Sequence, residues 1–501
     1  MTAEKTRRRS ASERYRSLRE FLSEFRRSRS GVLGSIMIIA FAAISVYATV
    51  RYPYSEVTKW NDPRNWTENP TSVPPAWVQG LIGRALPETA TYIAPATTKA
   101  NLTYRGQTAL VTTVDQLLIF NNNYDDTPTN IIISFAVQYS KNSPSIIVTW
   151  VKPDGQKIEL ANFIMERGVG EPPYRDMTKD LYPIYDAQIR RNIAAYLKTT
   201  FNLTADVDPR MVMTVLYGTN QSIHGSVPFE VEKGQYRVRL SLQSYNAAND
   251  FPVSNPTDDV LSFKLVTTGK VYGFMGTDSL GRDLFIGILW GAPVALLIGI
   301  LTSVISVAVG VFLGVFSGFY GGKVDNALQR VTDYFLILPV LPLLIFLSFI
   351  LGAAGGRSVW LLIVLLAVFG WPGITKVVRS LALQIRESGY VEAARALGES
   401  NPQILLRHIL PQTLPYAFAN IALSVPGFIF TEASLSFLGL GDPVLPTWGK
   451  ILGDAQMGGA AVAGYWWWVL IPGVCIILVA MSFALLGNAL DRILTPRLRR
   501  R

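Results

Sequence analysis

Few residues of this 501-residue chain could do covalent chemistry. Its two histidines, His224 and His408, are widely separated and neither has a cysteine cluster beside it, which argues against a zinc or haem site. The single cysteine, Cys475, sits in an apolar run, so no intrachain disulfide can form. No GxxxxGK[ST] phosphate loop occurs, so any ATP that drives the protein must bind another subunit. Glu432 is the one carboxylate deep in an apolar stretch, where an ion is costly and often functional. Thr431, Ser434 and Ser436 stand close enough in sequence to give it either a hydrogen-bonded packing role or a gating one. No catalytic residue, metal ligand or cofactor is assigned to the chain.

The most informative segment carries no such reactive groups. Tyr390 to Pro411 reads YVEAARALGESNPQILLRHILP, a short polar helix-turn-helix between long apolar runs. Tyr390, Ala393, Ala394 and Leu397 fall at i, i+3, i+4 and i+7 and predict one small apolar face that could fit a groove. Gly398 stands where a helix needs a left-handed exit. Asn401 followed by Pro402 predicts an N-cap with proline at the first position of the next helix. Glu392, Ala393, Ala394, Gly398 and then Ile409, Leu410 and Pro411 resemble the EAA loop of ABC-importer permeases, here residues 379–411. That resemblance implies a cytoplasmic loop docked on a separate ATPase subunit. The competing reading is an amphipathic loop that only returns the chain to the bilayer.

Such a loop must be held by membrane helices, and the charge distribution sets their topology. Residues 1–30 carry ten basic and four acidic side chains, residues 488–501 carry five and one, and residues 51–270 balance at 21 and 21. A basic bias confined to both ends is what the positive-inside rule gives when both termini face the cytoplasm. Nucleic-acid binding is excluded because the basic tails abut hydrophobic spans. Tyr15, Leu18, Leu22 and Phe25 predict a basic amphipathic helix over 1–30, opened by a Ser10/Glu13 capping box. A first span follows at 31–50, long enough to cross the bilayer.

Further spans are expected at Leu284 to Phe319, Tyr334 to Leu351, Val359 to Val378, Leu414 to Leu438 and Trp468 to Leu486. The first of these exceeds one perpendicular crossing and so must tilt or lie partly along the interface. Gly310, Gly314, Gly318 and Gly322 recur every four residues as a stripe for close helix packing. Asp333 and Lys376 are expected at span ends within reach of water, and Trp466 to Trp468 as an interfacial aromatic belt.

Residues 51–270 are of another kind, rich in Pro, Asn, Thr and Tyr with β-branched runs at Ile131 to Tyr139, Ser145 to Val151 and Tyr236 to Leu242. Pro153, Asp154 and Gly155 predict a hairpin turn, while Ile189, Ile193, Leu197 and Phe201 predict one amphipathic helix. A mainly-β extracellular domain is expected, with glycosylation candidates at Asn65, Asn101, Asn202 and Asn220. Arg282, between Asp278 and Asp283, is expected to be neutralised in a structural role.

Three more stretches narrow the resemblance to the C-type permease subunit of oligopeptide and dipeptide ABC importers: GTDSLGRDLF from Gly276, FTEASLSFLGLG from Phe430, and the closing LLGNALDRILTPRLR. The fold implied is an α-helical polytopic membrane protein with six transmembrane helices and a type I importer core at 271–487; the large inserted mainly-β extracellular domain is where this sequence departs from that family, whose connection between the first two spans is much shorter. The function implied is a multi-pass permease subunit of the cell membrane, forming half of a heterodimeric pore. Its implied partners are a second permease subunit, two ATPase subunits that bind ATP and Mg, an extracellular substrate-binding protein and the lipid bilayer. Oligosaccharides are the alternative cargo. A membrane-anchored surface receptor or adhesin is the alternative of a different class.

Overall fold

The computed structural model describes residues 23–95, 98–101, 112–140, 143–168, 170–223, 228–243, 245–246, 251–252, 258–353 and 356–494. The amphipathic helix expected over 1–30 lies largely outside the described residues. The chain divides into two compact units, one made of Met1–Asp62 with Leu284–Arg501, the other of Pro63–Asp283. The inserted unit is thus bounded at 63 and 283, where the composition change had suggested 51 and 270.

The first unit begins with α1 (Arg29–Arg51), capped by the Ser28 hydroxyl, which accepts the Gly31 N–H at 3.2 Å. Gly34 lets this helix close on the last one, since a Cβ there would sit 2.7 Å from the Ser482 carbonyl oxygen.

The inserted unit is built from β1 (Ala90–Ile93), β2 (Thr98–Asn101), β3 (Thr112–Asn122), β4 (Asn130–Tyr139), β5 (Ser145–Val151), β6 (Lys157–Ile164), β7 (Tyr174–Leu181), β8 (Gly234–Gln243), the two-residue β9 (Tyr245–Asn246) and β10 (Phe251–Pro252), and β11 (Asp259–Thr268). One sheet has the order β1-β11-β4-β7 and a second β2-β3-β8-β5-β6, all pairs antiparallel. Burial alternates strictly along β5, with Ile146, Val148 and Trp150 on the inward face, as a two-layer core requires. The β5–β6 turn is closed by Gly155 at φ +86°.

Two helices complete this core, α2 (Ala187–Phe201) and α3 (Pro209–Tyr217). Asp186 caps α2 by accepting the N–H groups of Gln188 and Ile189 at 2.7 and 3.3 Å. Ile189, Ile193 and Leu197 are buried while Phe201 is only half-buried, so the amphipathic stripe loosens at its end. Trp150 is fixed by its indole N–H, which donates to the Leu216 carbonyl at 3.1 Å. Lys152, also buried, donates to the Gly218 carbonyl at 2.6 Å and pairs with Glu232 at 2.9 Å. Burial beside Glu232 pushes the Tyr236 phenol far above its ordinary pKa, so it remains a donor to the Glu232 carbonyl at 2.7 Å.

The remaining helices return to the first unit: α4 (Leu284–Tyr320), α5 (Gly322–Ile337), α6 (Val340–Ala353), α7 (Val359–Gly370), α8 (Pro372–Arg386), α9 (Gly389–Ala396), α10 (Asn401–Ile404), α11 (Leu410–Phe437), α12 (Trp448–Met457) and α13 (Trp466–Leu494). Among the described residues, α1, α4, the Asn401–Phe437 run and α13 are each long and apolar enough to cross a membrane, and the number reaches six if two bent pairs count as spans. Those pairs revise the expected third and fourth spans. The α5–α6 pair bends by 84° around Leu338 and Pro339, and α7–α8 by 43° where Pro372 opens α8. By contrast α4 continues unbroken for 37 residues through Pro293, and α13 runs to Leu494, past the expected boundary at 487.

The glycine stripe of α4 meets α8. A Cβ on Gly310 would lie 2.8 Å from the Ile374 Cβ, on Gly314 2.8 Å from the Thr375 carbonyl oxygen, and on Gly318 2.7 Å from the Arg379 carbonyl oxygen. Gly322 does not take part, because it turns into α5 at φ +56° with open space around it. Trp467 and Trp468 are buried rather than set at an interface, correcting the expected belt, and of the three only Trp466 is exposed. A Gly314→Leu variant should part α4 from α8 and cost about 1–3 kcal/mol. Thermal unfolding in detergent should show this loss, while Gly373→Ala, which faces open space, melts no lower than the parent.

Candidate functional site

The polar helix-turn-helix occupies α9, α10 and a π-turn at Leu405–Ile409 that leads into α11. Its seat is apolar: Val391, Ile404 and Ile409 are buried in one cluster with Val315 and Phe319 of α4 and Val378 and Ala382 of α8, and Ala394 of the same short helix as Val391 is buried as well. The face expected from Tyr390, Ala393, Ala394 and Leu397 is therefore split. Ala394 turns inward with Val391, whereas Tyr390, Glu392, Ala393 and Leu397 are exposed. The reason is that α9 is amphipathic toward its own bundle through Val391 and Ala394, which leaves the neighbouring stripe free.

Leu397 is 86% exposed at the end of α9. Gly398 at φ +88° makes the exit, with its N–H donating to the Arg395 carbonyl at 3.1 Å and the Glu399 N–H to the Ala394 carbonyl at 3.1 Å. This pair of bonds is a Schellman closure, which requires a left-handed residue at Gly398. The next helix is capped one residue earlier than expected. Ser400, not Asn401, is the N-cap: its backbone N–H donates to the Gln403 side chain at 3.0 Å, and Pro402 lies inside the first turn. Ser400 competes better here because Gln403 stands three residues on, the reciprocal half of a capping box.

Side chains staple the corner to α11. Glu399 lies 2.8 Å from the His408 Nε2 and 3.6 Å from Arg407. The Gln412 amide donates to the Tyr390 hydroxyl at 2.6 Å, and the Tyr390 ring sits 6.3 Å from the His408 ring. Pro411 is exposed in the first turn of α11. Sequence reasoning had passed over Glu399, His408 and Gln412, although the i, i+9 pairing of an acid with a histidine across a predicted turn was a usable signal.

Beneath this corner, Arg379 of α8 reaches Asp325 of α5 through Nε and Nη2, both at 2.5 Å. Ser317 of α4 donates to the same carboxylate at 2.5 Å, and Gln329 donates to Ser317 at 3.1 Å. Arg386 adds bonds to the carbonyls of Gly318 and Phe319 at 3.3 Å each. Lys376 and Asp333, expected singly at span ends, pair with each other between α8 and α5.

Elsewhere, Glu432 is buried in α11 and accepts from the Ser436 hydroxyl at 2.6 Å. Thr431 and Ser434 instead donate to the carbonyls of Gly427 and Phe430. Arg282 donates to Asp278 at 2.5 Å inside the inserted unit, where burial pushes the Asp278 carboxyl above its ordinary pKa despite the cation. Asn65 and Asn202 are exposed, the latter as the left-handed C-cap of α2. Asn220 is half-buried and donates to Asp154 at 3.2 Å. The Asn101 side chain lies outside the described residues. Among the described residues no group of three or more His, Cys, Asp or Glu is placed to hold a metal ion.

A family model for the binding-protein-dependent transport system inner membrane component matches residues 310–500, a stretch that holds the whole corner and its seat. Dipeptide transport system permease protein DppC of Bacillus subtilis (strain 168) is 35% identical over 228 residues, covering 45% of this chain and 69% of its own. The chain belongs to this family. This permease is also 37% identical to the probable peptide ABC transporter permease protein y4tQ of Sinorhizobium fredii (strain NBRC 101917 / NGR234), covering 48% of this chain and 80% of that protein. A solved inward-facing structure of the MetNI methionine ABC transporter covers 42% of this chain and 97% of that one, with 22% identity and a TM-score of 0.35.

Within the permease, an Asp325→Asn variant keeps the shape but leaves Arg379 without its counter-charge. It should cost about 2 kcal/mol, because Arg379 is only partly shielded from water. Melting of the purified protein in detergent checks this, and an unchanged midpoint would show that the pair is not holding α5 to α8.

Proposed function

We propose that this permease is the transmembrane subunit of an ATP-driven importer of dipeptides and oligopeptides, in which it forms half of a heterodimeric pore with a second permease subunit. The peptide cargo is supported by the names of its relatives DppC and OppC of Bacillus subtilis, 35% and 34% identical to it. An external binding protein delivers the substrate, two ATPase subunits bind ATP and Mg, and this chain has no ATPase site of its own. Six spans place both termini in the cytoplasm and the Pro63–Asp283 unit outside, a topology supported by the basic bias of residues 1–30 and 488–501.

The observation that carries the coupling role is an exposed Leu397 on a helix whose other side is packed into the bundle through Val391, with Ala394 buried as well. A hydrophobic knob costs solvation unless a groove receives it. Movement of the ATPases presses on Tyr390, Glu392, Ala393 and Leu397, and the buried face passes that displacement to α4 and α8. The loop transmits force and catalyses nothing. Such a relay needs a stiff corner, which is what Gly398, the Ser400 cap and the Glu399 staple provide.

Oligosaccharide import by the same machinery is the alternative for cargo, since this chain's corner would serve either. Gly398→Val forces a β-branched residue to φ +88°, at about 1–2 kcal/mol, and Glu392→Lys reverses a charge on the exposed stripe. Both variants should retain a folded bundle yet lose substrate-stimulated ATP hydrolysis and most peptide uptake in proteoliposomes. Parental uptake and stimulation in both would contradict the coupling role.

A further inference from the structure

At the root of the inserted unit two loops are tied into one apolar patch. The Ala76 N–H donates to the Gly273 carbonyl at 2.9 Å, the Tyr272 N–H to the Pro74 carbonyl at 2.9 Å, and the Trp77 indole N–H to the Phe274 carbonyl at 2.9 Å. Trp77 leads into one short helical turn, Val78–Ile82, whose Val78 is buried. Its other apolar side chains face out: Leu81 is 78% and Ile82 54% exposed, and Phe274 on the paired loop is 63% exposed. Gly83 at φ +69° ends the turn, and exposed Arg84 follows at the edge of the patch.

We propose that this patch is a membrane anchor, inserted at the boundary between headgroups and acyl chains of the leaflet that faces the inserted unit. Chain continuity argues for lipid as the occupant. Phe274 precedes the first residue of the spanning helix α4 by only ten positions, which bounds its reach to roughly 35 Å from that helix end. The composition fits the same depth, with a tryptophan whose polar N–H is already satisfied, aliphatic side chains beyond it, and an arginine able to extend toward phosphate. The anchor would restrain the inserted unit against the bilayer, and it does not depend on which solute is carried or on the ATPase coupling.

The test uses the full chain in proteoliposomes, with Cys475→Ser as background and a single bimane label at Leu81→Cys. A label at Lys198→Cys, on the exposed face of α2, serves as the aqueous control. Lipids brominated near the top of the acyl chain should quench the Leu81→Cys label by roughly half and leave the control unchanged, while aqueous iodide should quench only the control. Equal quenching of both labels by iodide would overturn the proposal. Protection from iodide without quenching by brominated lipid would also overturn it, in favour of a protein covering the patch. A second label at Phe274→Cys guards against a local distortion at Leu81 and should give the same pattern.

Discussion

A carboxylate withdrawn from water at the end of a membrane bundle must be met by a cation, and Arg379 meets Asp325 with both arms of its guanidinium fork. The pair joins α5 to α8, and Ser317 brings in α4. Three helices are thus fixed where Gly314 and Gly318 have already brought two backbones together. Arg386 continues the same seam to the carbonyls at the end of α4. The apolar seat of α9 is built on two of the same helices, α4 and α8. Strength comes from the fixed geometry of the fork and from the burial of the carboxylate, rather than from the number of charges.

The corner itself divides the labour between its two faces. Val391, Ile404 and Ile409 pack into the bundle and Ala394 is buried, which ties this corner to α4 and α8. Tyr390, Glu392, Ala393 and Leu397 remain available outside. Gly398 closes one helix while Ser400 opens the next, and the Glu399 carboxylate spans the turn to His408. Under the proposed coupling role, a push on the exposed stripe would reach α4 and α8 through the buried one.

Much of this arrangement was legible in the amino-acid sequence, for identifiable reasons. Gly398 announced its left-handed exit because few other residues tolerate that conformation, and the glycines of α4 announced a packed face by their spacing. The hairpin at Pro153 to Gly155 and the stripe of α2 followed from turn chemistry and helical period. What escaped was tertiary. Ala393 and Ala394 are chemically identical, so only the packing of Val391 against α4 and α8 decides which of them is buried. Asp325 and Arg379 are 54 positions apart, and no local pattern relates them. The bends between α5 and α6 and between α7 and α8 depend on how proline ends meet neighbouring helices, and hydropathy reads such pairs as single runs. Trp467 and Trp468 looked interfacial by composition, yet the bundle had room to bury them.

The central claim is that the exposed end of α9 is pressed by a nucleotide-hydrolysing partner. The most direct measurement is site-specific crosslinking of a Leu397→Cys variant, in the Cys475→Ser background, within the assembled transporter. The account predicts a crosslink from that position to an ATPase subunit whose yield changes when ATP is bound, and none from Ile164→Cys on the inserted unit, which is also exposed. Labelling of Leu397→Cys by an impermeant reagent added outside intact cells, with no adduct to any ATPase, would contradict it.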